Sequence, residues 1–241
     1  MGRLDDLRRF YSLLSELESR LGAKRCLAEC DGRMRWPQRG VYFFFEPGER
    51  RTDSGDGVRV VRVGTHALAA GSNSTLWGRL SQHRGVGKTG GGNHRGSIFR
   101  LLVGEALKSR DRQSHPPSWG VGGDPGKAAT QLGCAREEVK VHEQELEASV
   151  SRYIGAMPFL WVPIDDAPGA DSKRGLIERN SIALLSNWEK APLDPPSASW
   201  LGSFSLHERV RKSGLWNNNH VEETYNPIFL GVFEHLVEAG L

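Results

Sequence analysis

Two short apolar runs separated by a polar tract constrain this chain more than any other feature. Val41 to Glu46 is aromatic and uninterrupted, the composition of a buried strand. Val58 to Val63 mixes Val with Arg, as a strand with one wet face does. Pro47 to Gly57 is Gly, Asp, Glu and Arg and can continue neither strand, so it predicts a β-hairpin with a long connection. A third apolar run, Met157 to Ile164, stops at Asp165-Asp166 and supplies a third strand. The remaining periodic segments are helical. Residues 3–22 place Leu4, Leu7, Phe10, Leu14, Leu17 and Leu21 at threes and fours, with Gly22 as a stop. Further helices are predicted over Ser74–His83 with Ser74 as N-cap, Ser97–Lys108, Arg136–Tyr153, Ser172–Leu185, Leu206–Lys212 and Pro227–Ala239.

The predicted fold class is therefore α+β: a small three-stranded antiparallel sheet flanked by helices. It carries a long helical and loop insertion at about 84–156, and helical N- and C-terminal extensions. The boundaries expected are 1–36 for the first extension, 37–190 for the core domain and 191–241 for the last extension, after a linker marked by Pro192, Pro195 and Pro196. The insertion opens with a glycine-rich basic loop and includes a Pro/Gly stretch from His115 to Gly126.

The 241 residues carry 32 basic against 29 acidic side chains, a net charge of +3. That balance permits a nucleic-acid partner only if the basic residues are segregated. No apolar run approaches the ~20 residues of a membrane span. The charged start, Met1-Gly2-Arg3-Leu4-Asp5-Asp6, does not read as a signal peptide. Cys26, Cys30 and Cys134 make an odd, low count that predicts reduced thiols and a cytoplasmic location. With His142 they match no common zinc spacing, and buried thiols are expected.

Chemistry-bearing residues follow a fixed order along this frame. Tyr42 closes Gly40-Val41-Tyr42 in the first strand, and Gly64 closes Arg62-Val63-Gly64 in the second. Arg79 and His83 are i, i+4 and share one face of a helix. Glu178 sits beside Ile177 at the edge of the apolar face defined with Ile182 and Leu185, and Asn187 follows where that helix should end. Hydrolysing a phosphodiester requires an activated water and neutralisation of the charge that grows on the phosphate oxygens. An arginine clamps phosphate with parallel hydrogen bonds. A histidine accepts a proton near neutral pH. A single carboxylate suffices to hold Mg²⁺, which keeps most of its waters.

On these residues the sequence resembles the GIY-YIG nuclease superfamily, closest to its restriction-endonuclease-like branch, which pairs the helix arginine with a histidine one turn on. The resemblance covers roughly residues 40–83 and 157–187. It implies a divalent-metal-dependent DNA endonuclease of restriction or defence type, using Mg²⁺ or Mn²⁺ on double-stranded DNA. Carried over, Tyr42 is the general base or its relay, Arg79 the phosphate clamp, His83 the partner of the base, Glu178 the metal ligand and Asn187 a positioning group. Cutting both strands with one centre per subunit implies a homodimer.

The chain departs from the pattern at one place. Arg62 stands where the motif has its second tyrosine; it can hydrogen-bond phosphate but cannot serve as a phenol. His66 is a substitute contributor. The departure motivates an alternative: a catalytically degenerate module of the same family that binds DNA or a protein partner without cleaving. Two motif-like strings are set aside. Gly87-Lys88-Thr89 lacks the first glycine of a phosphate loop, since Gln82 stands there. Tyr153-Ile154-Gly155 spells the second motif at the end of a charged helix, far too late in the chain. For DNA binding, the glycine-rich loop offers Arg84, Lys88, His94 and Arg95, and the C-terminal extension offers Arg209, Arg211, Lys212 and Asn217.

Overall fold

A computed structural model describes residues 2–112 and 116–239. His115, the start of the expected Pro/Gly stretch, lies outside the described residues. The strands are β1 (Arg25–Cys26), β2 (Gly40–Arg50), β3 (Val58–Gly64) and β4 (Pro158–Pro163). They form one antiparallel sheet in the order β1-β4-β2-β3. The sheet thus has one strand more than the three predicted. β1 is only two residues long, pairing with Pro158 and Phe159, and too short to leave a periodic signal.

β2 lies between β4 and β3 and is buried on both faces, which explains its unbroken apolar run. Val41, Phe43 and Phe45 point to one side with Leu160 and Val162. Helices α1 (Arg3–Leu21), α6 (Lys173–Leu185) and α8 (Phe229–Ala239) cover that side. Phe10 of α1 meets Phe43 edge-on at 5.8 Å and Phe233 of α8 at 5.7 Å. Both terminal helices are therefore built into the core of the sheet.

Tyr42 and Phe44 point to the other side with Phe159 and Trp161. There they meet α2 (Leu76–Arg84), α3 (Ile98–Asp111) and α5 (Arg136–Gly155). Helix α4 (Pro125–Leu132) is not among the expected helices; it begins at the end of the Pro/Gly stretch and runs past it. Asp124 caps it by accepting from the N–H groups of Gly126 and Lys127, Pro125 opens its first turn, and Gly133 ends it with a left-handed backbone. The N-cap of α2 is Thr75, one residue after the Ser74 expected: its side chain accepts the Gly78 N–H.

The C-terminal segment runs beside the hairpin rather than away from it, and carries the short helix α7 (Glu208–Ser213). A buried carboxylate, Glu46, accepts the Tyr153 hydroxyl and the indole N–H groups of Trp200 and Trp216 at 3.1 and 3.0 Å. Trp216 then donates its backbone N–H to Val61 O at 2.7 Å. Asn217 uses its side-chain amide as a peptide surrogate, donating to Val63 O at 2.8 Å and accepting from Val63 N at 3.1 Å. The otherwise open edge of β3 is covered in this way.

Candidate active site

A cleft of about 710 Å³ opens where β2 and β3 end and α2, α6 and the segment after Trp216 meet. Tyr42, Arg62, His66, Arg79, Glu178 and His220 all line it. Two glycines set the strand ends that build it. A Cβ on Gly40 would lie 2.5 Å from Val162 O, so only glycine permits the close pairing with β4. A Cβ on Gly64 would lie 2.4 Å from the Tyr42 hydroxyl oxygen, so Gly64 leaves the space that the phenol fills.

Tyr42 and His83 are joined by a hydrogen bond of 2.8 Å between the hydroxyl and Nε2. The other ring nitrogen, Nδ1, meets Ser97 Oγ at 2.7 Å, and Ser97 also caps α3 by accepting the Arg100 N–H. The ring is thereby fixed from both sides. Burial, then the charges of Arg79, Arg62 and Arg100, hold the His83 pKa well below the usual imidazole range. The imidazole is neutral, and with its proton on Nδ1 its Nε2 can take one from the phenol.

Arg62 reaches the same cleft because of a bulge. Phe44 pairs with Arg62, but Phe45 pairs with Val60, which leaves Val61 extra. Two successive side chains, Val61 and Arg62, therefore turn toward the α2–α3 side. Arg62 lies over the Phe99 ring at 4.7 Å, donates to Trp216 O, and lines the cleft with Tyr42. Burial lowers its pKa, while Tyr42 and Glu178 favour its charge. The cation that replaces the second motif tyrosine is thus part of the site.

Arg79 stands half-buried on the cleft wall. Its Nη1 donates to Gln82 Oε1 at 2.8 Å and to Gly96 O at 3.1 Å. Nε and Nη2 have no hydrogen-bond partner among the described residues, which leaves them for an anionic ligand. Glu178 Oε1 accepts the Thr65 N–H at 3.0 Å, and Oε2 has no such partner. Burial raises the Glu178 pKa, countered by Arg62, His220, the Thr65 hydrogen bond and Arg79. Among the described residues no group of three or more His, Cys, Asp or Glu could hold a metal. A carboxylate with one oxygen unpartnered at the cleft, raised in pKa by burial, fits a hard divalent ion that retains its waters.

His66 also lines the cleft: Nδ1 meets Ser74 O at 3.0 Å, and Nε2 is buried without a partner. The loop that carries it is pinned by Arg174, which donates to the His66 and Ala67 carbonyls and pairs with Asp166 at 2.5 Å.

Asn187 is not brought to the cleft. α6 ends at Leu185, as its spacing required, but the Asn187 amide accepts from Arg3 at 2.9 Å and from Leu193 N at 2.9 Å, and donates to Leu193 O at 3.1 Å. Several expected DNA contacts are also used internally. His94 stacks on Trp119 at 3.8 Å and bonds Glu147 at 2.9 Å. Arg95 forms a buried bidentate pair with Glu143, both bonds at 2.7 Å. Arg209 pairs with Glu222, Arg211 with Ser205 O, and Lys212 with Glu208. Asn217 lines the cleft, but its amide is committed to β3. Lys88 is exposed on the loop after α2, and the half-buried Arg84 lies over Gly87. Tyr153 of the second motif-like string binds Glu46, outside the cleft.

Asn218, Asn219 and His220, which the sequence groups with the C-terminal contact surface rather than with the catalytic residues, line the cleft. No curated protein and no solved structure gives a match to this chain. A model of the GIY-YIG domain matches residues 1–240. With the phenol, the two arginines, the imidazole and the carboxylate gathered at one cleft, and the match running the length of the chain, this protein belongs to the GIY-YIG domain family.

Proposed function

We propose that this protein is a divalent-metal-dependent endonuclease of restriction or defence type that hydrolyses phosphodiester bonds in double-stranded DNA. The family generally comprises endonucleases that depend on a divalent metal. The observation that carries the reading is that Tyr42, bonded to the buried His83 at 2.8 Å, lines one cleft with Arg62, Arg79 and Glu178. Arg79 orients the scissile phosphate through Nε and Nη2. A water attacking phosphorus gives its proton to the Tyr42 oxygen while the phenolic proton passes to His83 Nε2. Arg62, fixed by Trp216 O, balances negative charge on the phenol oxygen. Glu178 would hold a divalent cation, which when bound would supply Lewis-acid neutralisation of charge on the phosphate. Arg84 at the end of α2 and Lys88 on the loop after it are the proposed contacts to the DNA backbone. A homodimer in the cytoplasm, one centre to each strand, completes the reading.

Arg62 in place of the second motif tyrosine favours one other reading, a DNA-binding module that no longer cleaves. Plasmid cleavage separates them. Supercoiled DNA with Mg²⁺ or Mn²⁺ should be nicked or cut by the wild type, and Tyr42→Phe and Glu178→Ala should each lose about a hundredfold or more. Salt-sensitive DNA binding without turnover under any divalent metal would establish the second reading instead.

A further inference from the structure

We infer that His220 is a further catalytic residue, donating the proton that the leaving oxygen needs when the phosphodiester breaks. The inference rests on the nuclease reading above. Three independent features single His220 out. It lines the cleft that holds Tyr42 and Glu178. Its Nδ1 is held at 2.6 Å by Glu223 Oε1, which leaves Nε2 as its one free polar atom, with no protein partner among the described residues. Its backbone sits at φ 64°, a left-handed conformation that a residue with a Cβ adopts at a cost.

That backbone is held in place by what precedes it. Trp216 and Asn217 are tied to Val61 and Val63 of β3, so the chain must turn sharply at His220 to leave the cleft wall. The turn brings the imidazole into the cleft and into the field of Glu178. A carboxylate behind a histidine fixes its tautomer and orientation, and leaves the far nitrogen for the substrate.

Nothing else lining the cleft suits the task. Tyr42 and His83 receive the proton of the attacking water, Arg62 and Arg79 are permanently charged, and His66 has its Nε2 buried. In the step proposed, water oxygen bonds phosphorus and the bond from phosphorus to the leaving sugar oxygen breaks. Its electron pair stays on that oxygen, which takes the Nε2 proton of the doubly protonated His220 ring, leaving a neutral imidazole with Nδ1–H still on Glu223. The products are an alcohol and a phosphate monoester, and His220 recovers its proton from solvent. The charged groups that bond this imidazole or share the cleft with it are Glu223 from its own turn, Glu178 from α6, Arg62 from β3 and Arg79 from α2.

The test compares two leaving groups in the full-length protein. The site of cutting is mapped on a plasmid, and a duplex spanning it is made in two forms, with oxygen or with sulfur as the leaving bridging atom. A thiolate leaves without being protonated. His220→Asn is the variant of choice, because Asn tolerates the left-handed backbone and can donate its amide N–H to Glu223 but cannot act as an acid. It should cut the oxygen substrate about a hundredfold to ten-thousandfold more slowly and the sulfur substrate at nearly the wild-type rate. Its rate on oxygen should also lose the falling limb of the wild-type pH profile. Glu223→Gln should show the same selectivity more weakly. Equal losses on both substrates, or no loss on oxygen, overturn the role while leaving the nuclease reading intact. Absence of cleavage by the wild type overturns both.

Discussion

Replacing Gly64 by alanine adds one carbon at a position whose backbone is strain-free for any residue, since Gly64 is not among those with positive φ. The added Cβ would lie 2.4 Å from the Tyr42 hydroxyl oxygen, 2.5 Å from Cζ and 2.6 Å from Cε2. Ordinary carbon contacts sit near ~3.5–4.0 Å, so the ring must retreat by about 1 Å. It cannot do so freely, because Phe44 and His83 pack edge-on against it with centroids at 5.6 and 5.5 Å. A shift of about 1 Å stretches the Tyr42–His83 bond beyond the ~3.2 Å limit of a good hydrogen bond. Misplacement on that scale costs about a hundredfold in rate, and overpacking costs about 1–3 kcal/mol of stability. The assay is the initial rate of plasmid relaxation with Mg²⁺, beside thermal melting, for wild type, Gly64→Ala, Tyr42→Phe and the double variant. Because both single changes act on one phenol, the double variant should be scarcely worse than Tyr42→Phe alone. Wild-type turnover by Gly64→Ala, or fully additive losses, would refute the account of why glycine stands there.

Arg95→Ala should destabilise the fold by about 3–5 kcal/mol, because it strands Glu143 in a buried site; urea denaturation measures this, and unchanged stability would return Arg95 to the surface cations. The His66 pKa is lowered to about 4 by burial and by Arg174. Free histidine titrates near ~6.5, so between these values the unfolded chain binds the extra proton, and stability is complete above pH ~6.5 and falls as pH drops toward 4. His83, depressed by burial, acts in the same sense. Melting temperature against pH should therefore be flatter in His66→Gln than in wild type, and parallel curves would count against it. Asn187→Ala should lower stability by about 1–3 kcal/mol, from lost bonds to Arg3 and Leu193. Cleavage per folded molecule should be unchanged, and a selective loss of turnover would restore Asn187 to the catalytic set.

The strands β2, β3 and β4 and the long helices are legible because each buries a face whose period the sequence displays. Tyr42, Arg79 and Glu178 line the cleft, with His83 bonded behind Tyr42, because each lies on such an element. What escaped the sequence depends on partners distant along the chain. Arg95 and His94 read as free cations, yet Glu143 lies 48 residues after the first and Glu147 lies 53 after the second. Arg62 was recognised as the departure from the motif, but the bulge at Val61 that aims it at the cleft leaves no mark in a string of valines and arginines. Helix α4 was a different omission: Asp124-Pro125 and Gly133 are ordinary start and stop signals, passed over amid the surrounding glycines.

The strip from Trp216 to His220, stitched along β3, has a consequence for how the protein comes into being. Tyr42, Arg79 and Glu178 are all translated well before this strip emerges from the ribosome. Until it arrives, Arg62 lacks the carbonyl that steers it and one bank of the channel is missing. On the nuclease reading, a chain aborted before residue 216 carries Tyr42, Arg79 and Glu178 yet lacks the segment that completes the cleft.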